Sequence, residues 1–130
     1  APEEEWPVRE SGSLPYTQAH LEAVQEALWN VANVGYGTAT RRFVGLPVPV
    51  AGKTGTAETP PALPHAWFVG YAPAAPYTLP DGSVAVEPQI AVVTMIEKAG
   101  EGSSYAAPLF RRIIELYFEV EPAPFWWIEE

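Results

Sequence analysis

Proline and glycine close nearly every apolar stretch of this sequence, and they limit the elements that it can form to short ones. The 130 residues include 15 prolines and 10 glycines. This share lies well above ordinary usage but below the level that is typical of disordered chains. Because 48% of the residues are hydrophobic, a core is available, and we expect a loop-rich globular domain rather than a helical bundle or coiled coil.

The first periodic segment predicts a helix from Thr17 to about Asn33. Four apolar residues are spaced for one helix face, and we expect that face to be buried: Leu21, Val24, Leu28 and Val31. Thr17 is suited to cap the amino end. Gly35 and Gly37 follow the helix, where a left-handed stop is easiest for glycine.

Three segments read as strands. The first is residues 50–57, after which Pro60 prevents a longer strand, and the second is residues 66–71, which Pro73 closes in the same way. Residues 90–96 form a nearly continuous apolar run, which is typical of a strand covered on both faces. Between the second and third strands, residues 80–83 carry the turn sequence Pro-Asp-Gly-Ser, which predicts a small hairpin.

A second helix is predicted from Ser104, as its cap, to about Phe118, with Pro108 tolerated in the first turn. The order helix, three strands, helix favours an α+β fold: an antiparallel sheet of at least three strands with flanking N- and C-terminal helices. We divide the chain into an extended acidic lead-in (1–16), the folded body (17–121) and an acidic, aromatic tail (122–130).

The formal net charge of −9 belongs mainly to the two ends, since residues 1–10 carry a net −3 and residues 119–130 a net −4. No basic stripe exists to neutralise phosphates, so nucleic-acid binding is not expected. The sequence has no cysteine, and its two histidines, His20 and His65, have no ligand-spaced partner; we therefore expect no metal site. The chain begins with Ala1 and its one methionine is Met95, which suggests a piece of a longer protein.

Residues 51–58, Ala-Gly-Lys-Thr-Gly-Thr-Ala-Glu, are the stretch that carries chemistry. A phosphate-binding P-loop needs a glycine five residues before Gly52, but Pro47 stands there, and no helical pattern follows Thr54. The alternative is the Lys-Thr-Gly box of the penicillin-recognising enzymes, placed on a strand.

The neighbours of this box extend the match. From about residue 16 to 118, the chain resembles the C-terminal part of the transpeptidase domain of class B penicillin-binding proteins, the D-alanyl-D-alanine transpeptidases of cell-wall synthesis. Besides residues 51–58, the segments that carry the resemblance are Gly37-Thr38-Ala39, residues 65–73 (His-Ala-Trp-Phe-Val-Gly-Tyr-Ala-Pro), the apolar strand ending at Glu97, and residues 106–110 (Ala-Ala-Pro-Leu-Phe).

The resemblance implies specific roles for the box. Lys53 supplies positive charge in the cleft, and the hydroxyls of Thr54 and Thr56 bind a terminal carboxylate. The N–H of Thr56 stabilises an oxyanion, and Gly55 leaves the strand edge bare for a peptide backbone. Strand alternation places Lys53 opposite the two threonines, so a shared role requires use of the strand's edge.

For the whole enzyme, the resemblance implies acylation of a serine by a D-Ala-D-Ala stem peptide, transfer to a neighbouring stem amine, and inhibition by β-lactams. It implies no cofactor and no metal. Such enzymes lie outside the bacterial cell membrane, held by an N-terminal helix, and work beside a glycan-polymerising membrane partner. None of the five serines starts a Ser-x-x-Lys, and no Ser-x-Asn occurs. We therefore expect this chain alone to be inert.

Several plainer interpretations stay open. The chain could be a non-catalytic extracytoplasmic peptide-binding module, or part of a serine β-lactamase or penicillin sensor. His65 suits a turn better than catalysis, and Glu58 has no assigned role. The tail residues 125–128, Phe-Trp-Trp-Ile, are expected to pack on the body, with a contact to a partner or to a membrane-proximal surface as the alternative. The isolated chain is expected to self-associate.

Overall fold

The computed structural model describes residues 9–124, and it contains a three-stranded antiparallel sheet with helices beside it. In chain order the elements are α1 (Gln18–Asn33), α2 (Thr40–Phe43), β1 (Ala51–Thr59), β2 (Ala62–Ala72), β3 (Tyr77–Thr78), β4 (Val84–Ala85), β5 (Ile90–Ile96) and α3 (Ala106–Tyr117). The sheet order is β1-β2-β5, and β3 pairs with β4 in a separate hairpin. The predicted α+β class with flanking helices is confirmed.

Helix α1 begins as predicted, but it packs differently. The Thr17 hydroxyl accepts the N–H of His20 at 3.3 Å, which caps the helix. The predicted buried face is confirmed only in part: Leu21, Leu28 and Val31 are half-buried, but Val24 is 56% exposed, and Ala32 is the one residue of the helix that is fully buried. The reason is that the C-terminal turn makes the contact with the sheet, where Asn33 Nδ2 donates to the carbonyl of Val50 at 2.8 Å.

The predicted glycine stop of α1 is also wrong. The helix ends at Val34 in extended conformation, with φ −109°, and neither Gly35 nor Gly37 has a positive φ. The N–H of Val34 reaches back to the carbonyl of Asn30. An extended residue can therefore end this helix without a left-handed turn.

The bounds of β5 agree with the prediction, and the other two strands of the sheet extend beyond their predicted ends. Strand β2 begins at Ala62 rather than at residue 66. Pro64 is tolerated inside it because the pairing with β1 is irregular between Ala57 and Thr59, and a proline at a bulge costs no ladder bond. The prediction that β5 is covered on both faces is wrong, since Val93 and Met95 are 61% and 40% exposed, and only the opposite face is covered.

Three phenylalanine rings form the centre of the core. Phe68 on β2 lies 4.8 Å from Phe110 on α3 and 5.5 Å from Phe43 on α2, measured between ring centroids. A Cβ at Gly70 would stand 2.9 Å from Cζ of Phe110, so the glycine lets that ring lie on the sheet. Helix α2 was not predicted, because a four-residue helix shows no periodicity.

Helix α3 begins two residues after the predicted cap. Its N-cap is Tyr105, without a side-chain bond, because Ser104 belongs to the turn before it and donates its N–H to the carbonyl of Glu101 at 3.1 Å. The buried carboxylate of Glu115 accepts from Arg111 Nε at 2.7 Å and from Arg112 Nη1 at 2.8 Å.

The same ion-pair cluster joins α3 to α2. Nη1 of Arg111 donates to the carbonyls of Arg42 and Val44 at 2.8 and 2.9 Å. Because these bonds cross between the two helices, the position of α2 depends on α3. Within residues 9–124, no helix has the length and apolar character that crossing a membrane requires.

Candidate active site

The Lys-Thr-Gly box lies in the middle of β1, which is an edge strand of the sheet. Its partners on β2 are Val69 for Lys53, Phe68 for Thr54, Trp67 for Gly55 and Ala66 for Thr56. On the other side of β1, no further strand pairs with it within the described part of the chain. The box and the following Thr56 are therefore presented along a sheet edge.

The side chains of Lys53 and Thr54 start on opposite faces of β1 and meet at that edge. The exposed Lys53 side chain bends around the strand, and its Nζ donates to the carbonyl of Thr54 at 2.7 Å. The same Nζ lies 3.5 Å from Oγ1 of Thr54. The charge and the hydroxyl are thus available to one ligand, as a shared role requires.

The backbone direction of β1 follows from that contact. Because the Thr54 carbonyl receives Lys53 Nζ, it points away from β2. Backbone groups of an antiparallel strand alternate in direction from one residue to the next, so the N–H of Thr56, two residues on, points to the same outer side. The edge therefore offers a cation, a hydroxyl and a backbone donor in one row.

A second hydroxyl reaches the box from the connection between α1 and α2. Oγ1 of Thr38 lies 3.0 Å from Oγ1 of Thr54. The sequence placed Thr38 in a matching segment but gave it no role, since nothing in its local pattern shows that residues 16 positions apart make contact.

Gly102, in the loop between β5 and α3, covers the box from the core side. A Cβ there would collide with the carbonyl of Trp67 and would stand 2.5 Å from the carbonyl of Gly55 and 3.1 Å from its nitrogen. The loop therefore lies directly on the backbone of Gly55. Sequence analysis missed Gly102, because its importance lies in its contact with the backbone of Gly55, and no local sequence pattern indicates that contact.

A cavity of about 350 Å³ opens beside Thr38. It is lined by Gly35, Gly37, Thr38, Thr40, Arg41, Arg42, Val44 and Ser103. Nε of Arg42 donates to the carbonyl of Ser103 at 3.0 Å, which ties the α1–α2 region to the loop that carries Gly102. The region next to the box is thus basic in a chain whose net charge is −9.

The other candidate residues lie in structural contacts or apart from the box. His65 accepts the backbone N–H of Lys98 on Nδ1 at 3.0 Å, a contact that fits its turn interpretation, and Glu58 is exposed on β1.

Ser83, in the hairpin, donates its hydroxyl to Asp81 at 2.7 Å, and this bond lowers the pKa of that carboxyl. Burial raises the pKa of Tyr71. The tail residues 125–128 lie outside the described residues.

Comparison with known proteins places this geometry in context. The family model for the penicillin binding protein transpeptidase domain matches residues 3–115. The peptidoglycan D,D-transpeptidase MrdA of Haemophilus influenzae is 33% identical over 114 residues, which cover 76% of this chain and 16% of that protein. The crystal structure of Pseudomonas aeruginosa PBP2 in complex with WCK 5153 matches with a TM-score of 0.64 and 32% identity, over 76% of this chain and 19% of that one. The chain thus spans less than a fifth of the length of either relative.

Proposed function

The chain belongs to the penicillin-binding protein transpeptidase family, and from that premise we propose that it forms the substrate-aligning edge of a longer peptidoglycan D,D-transpeptidase. The observation that carries the proposal is the convergence of Lys53 Nζ and the Thr54 hydroxyl at the outer edge of β1, 3.5 Å apart. The outward N–H of Thr56 extends the same row of groups.

Each group in the row has a distinct task. An extended peptide pairs with the edge as an added strand, so its register is fixed by main-chain hydrogen bonds. The terminal carboxylate of the substrate binds the hydroxyls of Thr54 and Thr56 beside the charge of Lys53. The Thr56 N–H points where negative charge develops on the carbonyl oxygen during acylation, and donors placed in this way lower the barrier.

The nucleophile comes from another part of the protein. No Ser-x-x-Lys stands in the 130 residues, and an acyl-enzyme requires a serine activated by a base. We infer that the serine and its lysine belong to the longer chain, and that β-lactams acylate that serine. The longer protein acts outside the cytoplasmic membrane, anchored by an N-terminal helix, beside a glycan-polymerising partner.

The experiment uses the full-length gene product that contains these residues. It is incubated with fluorescent penicillin and analysed by denaturing electrophoresis, with and without prior treatment by unlabelled penicillin. We expect one labelled band that the unlabelled drug abolishes. If the native full-length protein stays unlabelled but still binds a D-Ala-D-Ala peptide, the chain belongs to a non-catalytic binding module instead.

We further infer that the isolated chain self-associates. Strands β2 and β5 leave an apolar face uncovered within the described residues, with Trp67 and Val69 37% and 48% exposed. Contiguous exposed apolar patches of this kind mark interaction surfaces.

A further inference from the structure

We propose that Thr38 is a positioning residue for Thr54: it donates its hydroxyl proton to Oγ1 of Thr54, so that the proton of Thr54 is directed at the substrate carboxylate. This inference rests on the proposed function and deepens it. It starts from the 3.0 Å distance between the two hydroxyl oxygens, a distance that does not by itself say which atom donates.

The backbone around Thr38 is held firmly in place. On one side, Gly37 donates its N–H to the carbonyl of Val34 at 2.8 Å, and on the other, the buried Ala39 donates to the carbonyl of Val31 at 3.0 Å. A Cβ at Gly37 would collide with the carbonyl of Asn30 at the end of α1. Thr38 is therefore fixed between two anchored neighbours.

The backbone of Thr54 is equally fixed. Thr54 lies opposite Phe68 in the register of the β1–β2 ladder, between two residues that are also in register with β2, and Phe68 is completely buried in the aromatic core. Because the backbones of Thr38 and Thr54 are both held in place, no flexible segment has to become ordered for their hydroxyl groups to make contact. A hydrogen bond between pre-ordered groups loses little conformational entropy when it forms.

The direction of the bond follows from what each group can donate. A hydroxyl has one proton and two lone pairs, an ionised carboxylate only accepts, and an ammonium only donates. When a carboxylate binds Thr54, the single proton of Thr54 must go to it. Thr54 can then only accept from Thr38, as it can from Lys53 Nζ at 3.5 Å. Thr38 must therefore be the donor in the bound state.

Two substitutions separate the hydroxyl of Thr38 from its shape. Thr38→Val keeps the β-branched side chain and removes the donor, whereas Thr38→Ser keeps the donor and removes a methyl group. The control is Thr59→Val, which removes a hydroxyl from the far end of β1, the strand that carries Thr54. There Thr59 donates to the carbonyl of Leu63 at 2.9 Å. All variants are made in the full-length transpeptidase.

The measurement is the second-order acylation rate constant with benzylpenicillin and with its methyl ester, which lacks the carboxylate. We expect Thr38→Val to lower the rate with benzylpenicillin by about 3- to 10-fold, the scale of one net hydrogen bond, and to leave the slower ester reaction unchanged. Thr38→Ser and Thr59→Val should match the native enzyme with both compounds.

Each other result decides against the proposal. Equal losses with the acid and the ester would show that Thr38 merely supports the fold. No loss with either compound, or a Thr38→Ser variant as slow as Thr38→Val, would show that the hydroxyl is not used. Acylation of the native enzyme tests the proposed function alone, since that result does not depend on Thr38.

Discussion

Lys53 and Thr54 leave opposite faces of β1, yet Nζ of Lys53 lies 3.5 Å from Oγ1 of Thr54 at the outer edge of the strand. Four methylene groups let the lysine bend around the strand, and the bond from Nζ to the Thr54 carbonyl, 2.7 Å long, holds it there. Strand alternation alone would separate the two groups. The two groups meet again at the edge of β1, where we propose that the ligand pairs.

The first prediction concerns this lysine in the full-length enzyme. In the proposed function, Lys53 places a positive charge beside the developing oxyanion and the carboxylate, and we expect Lys53→Ala to lower the penicillin acylation rate by about 10²–10³-fold. The exposed side chain makes no core contact, so thermal unfolding should change little. The matched control is Lys98→Ala, an exposed lysine in the turn after β5. An unchanged acylation rate in Lys53→Ala would remove the lysine from the mechanism.

The second prediction is that the 130-residue chain alone is not acylated. Covalent catalysis needs a serine next to a base, and none of its five serines starts a Ser-x-x-Lys. Incubation of the isolated chain with fluorescent penicillin, followed by denaturing electrophoresis, should leave its band dark beside a labelled full-length enzyme. A stable acyl adduct found by mass spectrometry on any residue of the chain would contradict this.

The features of the fold and of the site that depend on neighbouring residues in the chain could be predicted from the sequence. The bounds of β5 and the cap at Thr17 follow from short-range signals, and both agree with the structure. The box was placed on a strand because prolines precede and follow residues 50–57. For these elements, the deciding interactions lie within a few residues of the chain.

The remainder depends on approaches between distant segments. Nothing local indicates that Gly102 lies on the backbone of Gly55, or that Thr38 reaches Thr54. The face assigned to α1 is buried only in part for a related reason: Val24 has the right spacing, but the helix meets the sheet near Asn33. Periodicity shows which face could be buried, and the tertiary contacts decide how much of it is.

The third prediction tests the close approach of Gly102. In Gly102→Ala, the added methyl group would stand 2.5 Å from the carbonyl of Gly55, and a backbone atom cannot turn aside as a flexible side chain can. We expect a loss of about 1–3 kcal/mol in the free energy of unfolding, the usual cost of overpacking. Urea denaturation followed by circular dichroism measures it.

The matched control for that substitution is Gly35→Ala. A Cβ at Gly35 meets nothing within 4 Å, and its φ is not positive. Its stability should therefore stay within about 0.5 kcal/mol of the native protein, as for most surface changes. If both variants have the same midpoint of urea unfolding as the native protein, the close approach of Gly102 to Gly55 does not affect stability.

The fourth prediction concerns the buried charge cluster on α3. Glu115 is 1% exposed and accepts from Arg111 and Arg112 at 2.7 and 2.8 Å. Glu115→Gln keeps the shape but leaves the two guanidinium groups without their counter-charge, and breaking a buried pair costs about 3–5 kcal/mol. Thermal and urea unfolding should show this loss, whereas the exposed Glu87→Gln should show none. Equal stability of the two variants would mean that the cluster is not needed for folding.

The last prediction concerns the uncovered face of the sheet. We define the open face as Trp67 and Val69 on β2 with Val93 and Met95 on β5, which are 37%, 48%, 61% and 40% exposed. The register pairs Trp67 with Met95 and Val69 with Val93, so the four side chains form one contiguous patch. Large patches of this kind are rare on monomers, and homo-oligomers most often close as two-fold dimers.

Light scattering at micromolar concentration should therefore give the isolated chain a mass near twice its 14.2 kDa. Val93→Glu places a charge in the centre of the patch, where its burial in a dimer is costly, and it should return the mass to that of a monomer. Val86→Glu changes an exposed valine outside the patch and should leave the dimer intact.

The edge of β1 is a competing contact surface, because an unpaired strand can add a second copy through its backbone. Dimers that persist in Val93→Glu would assign the contact to that edge, and a native chain that is monodisperse at 14.2 kDa and binds no hydrophobic dye would show that neither surface associates.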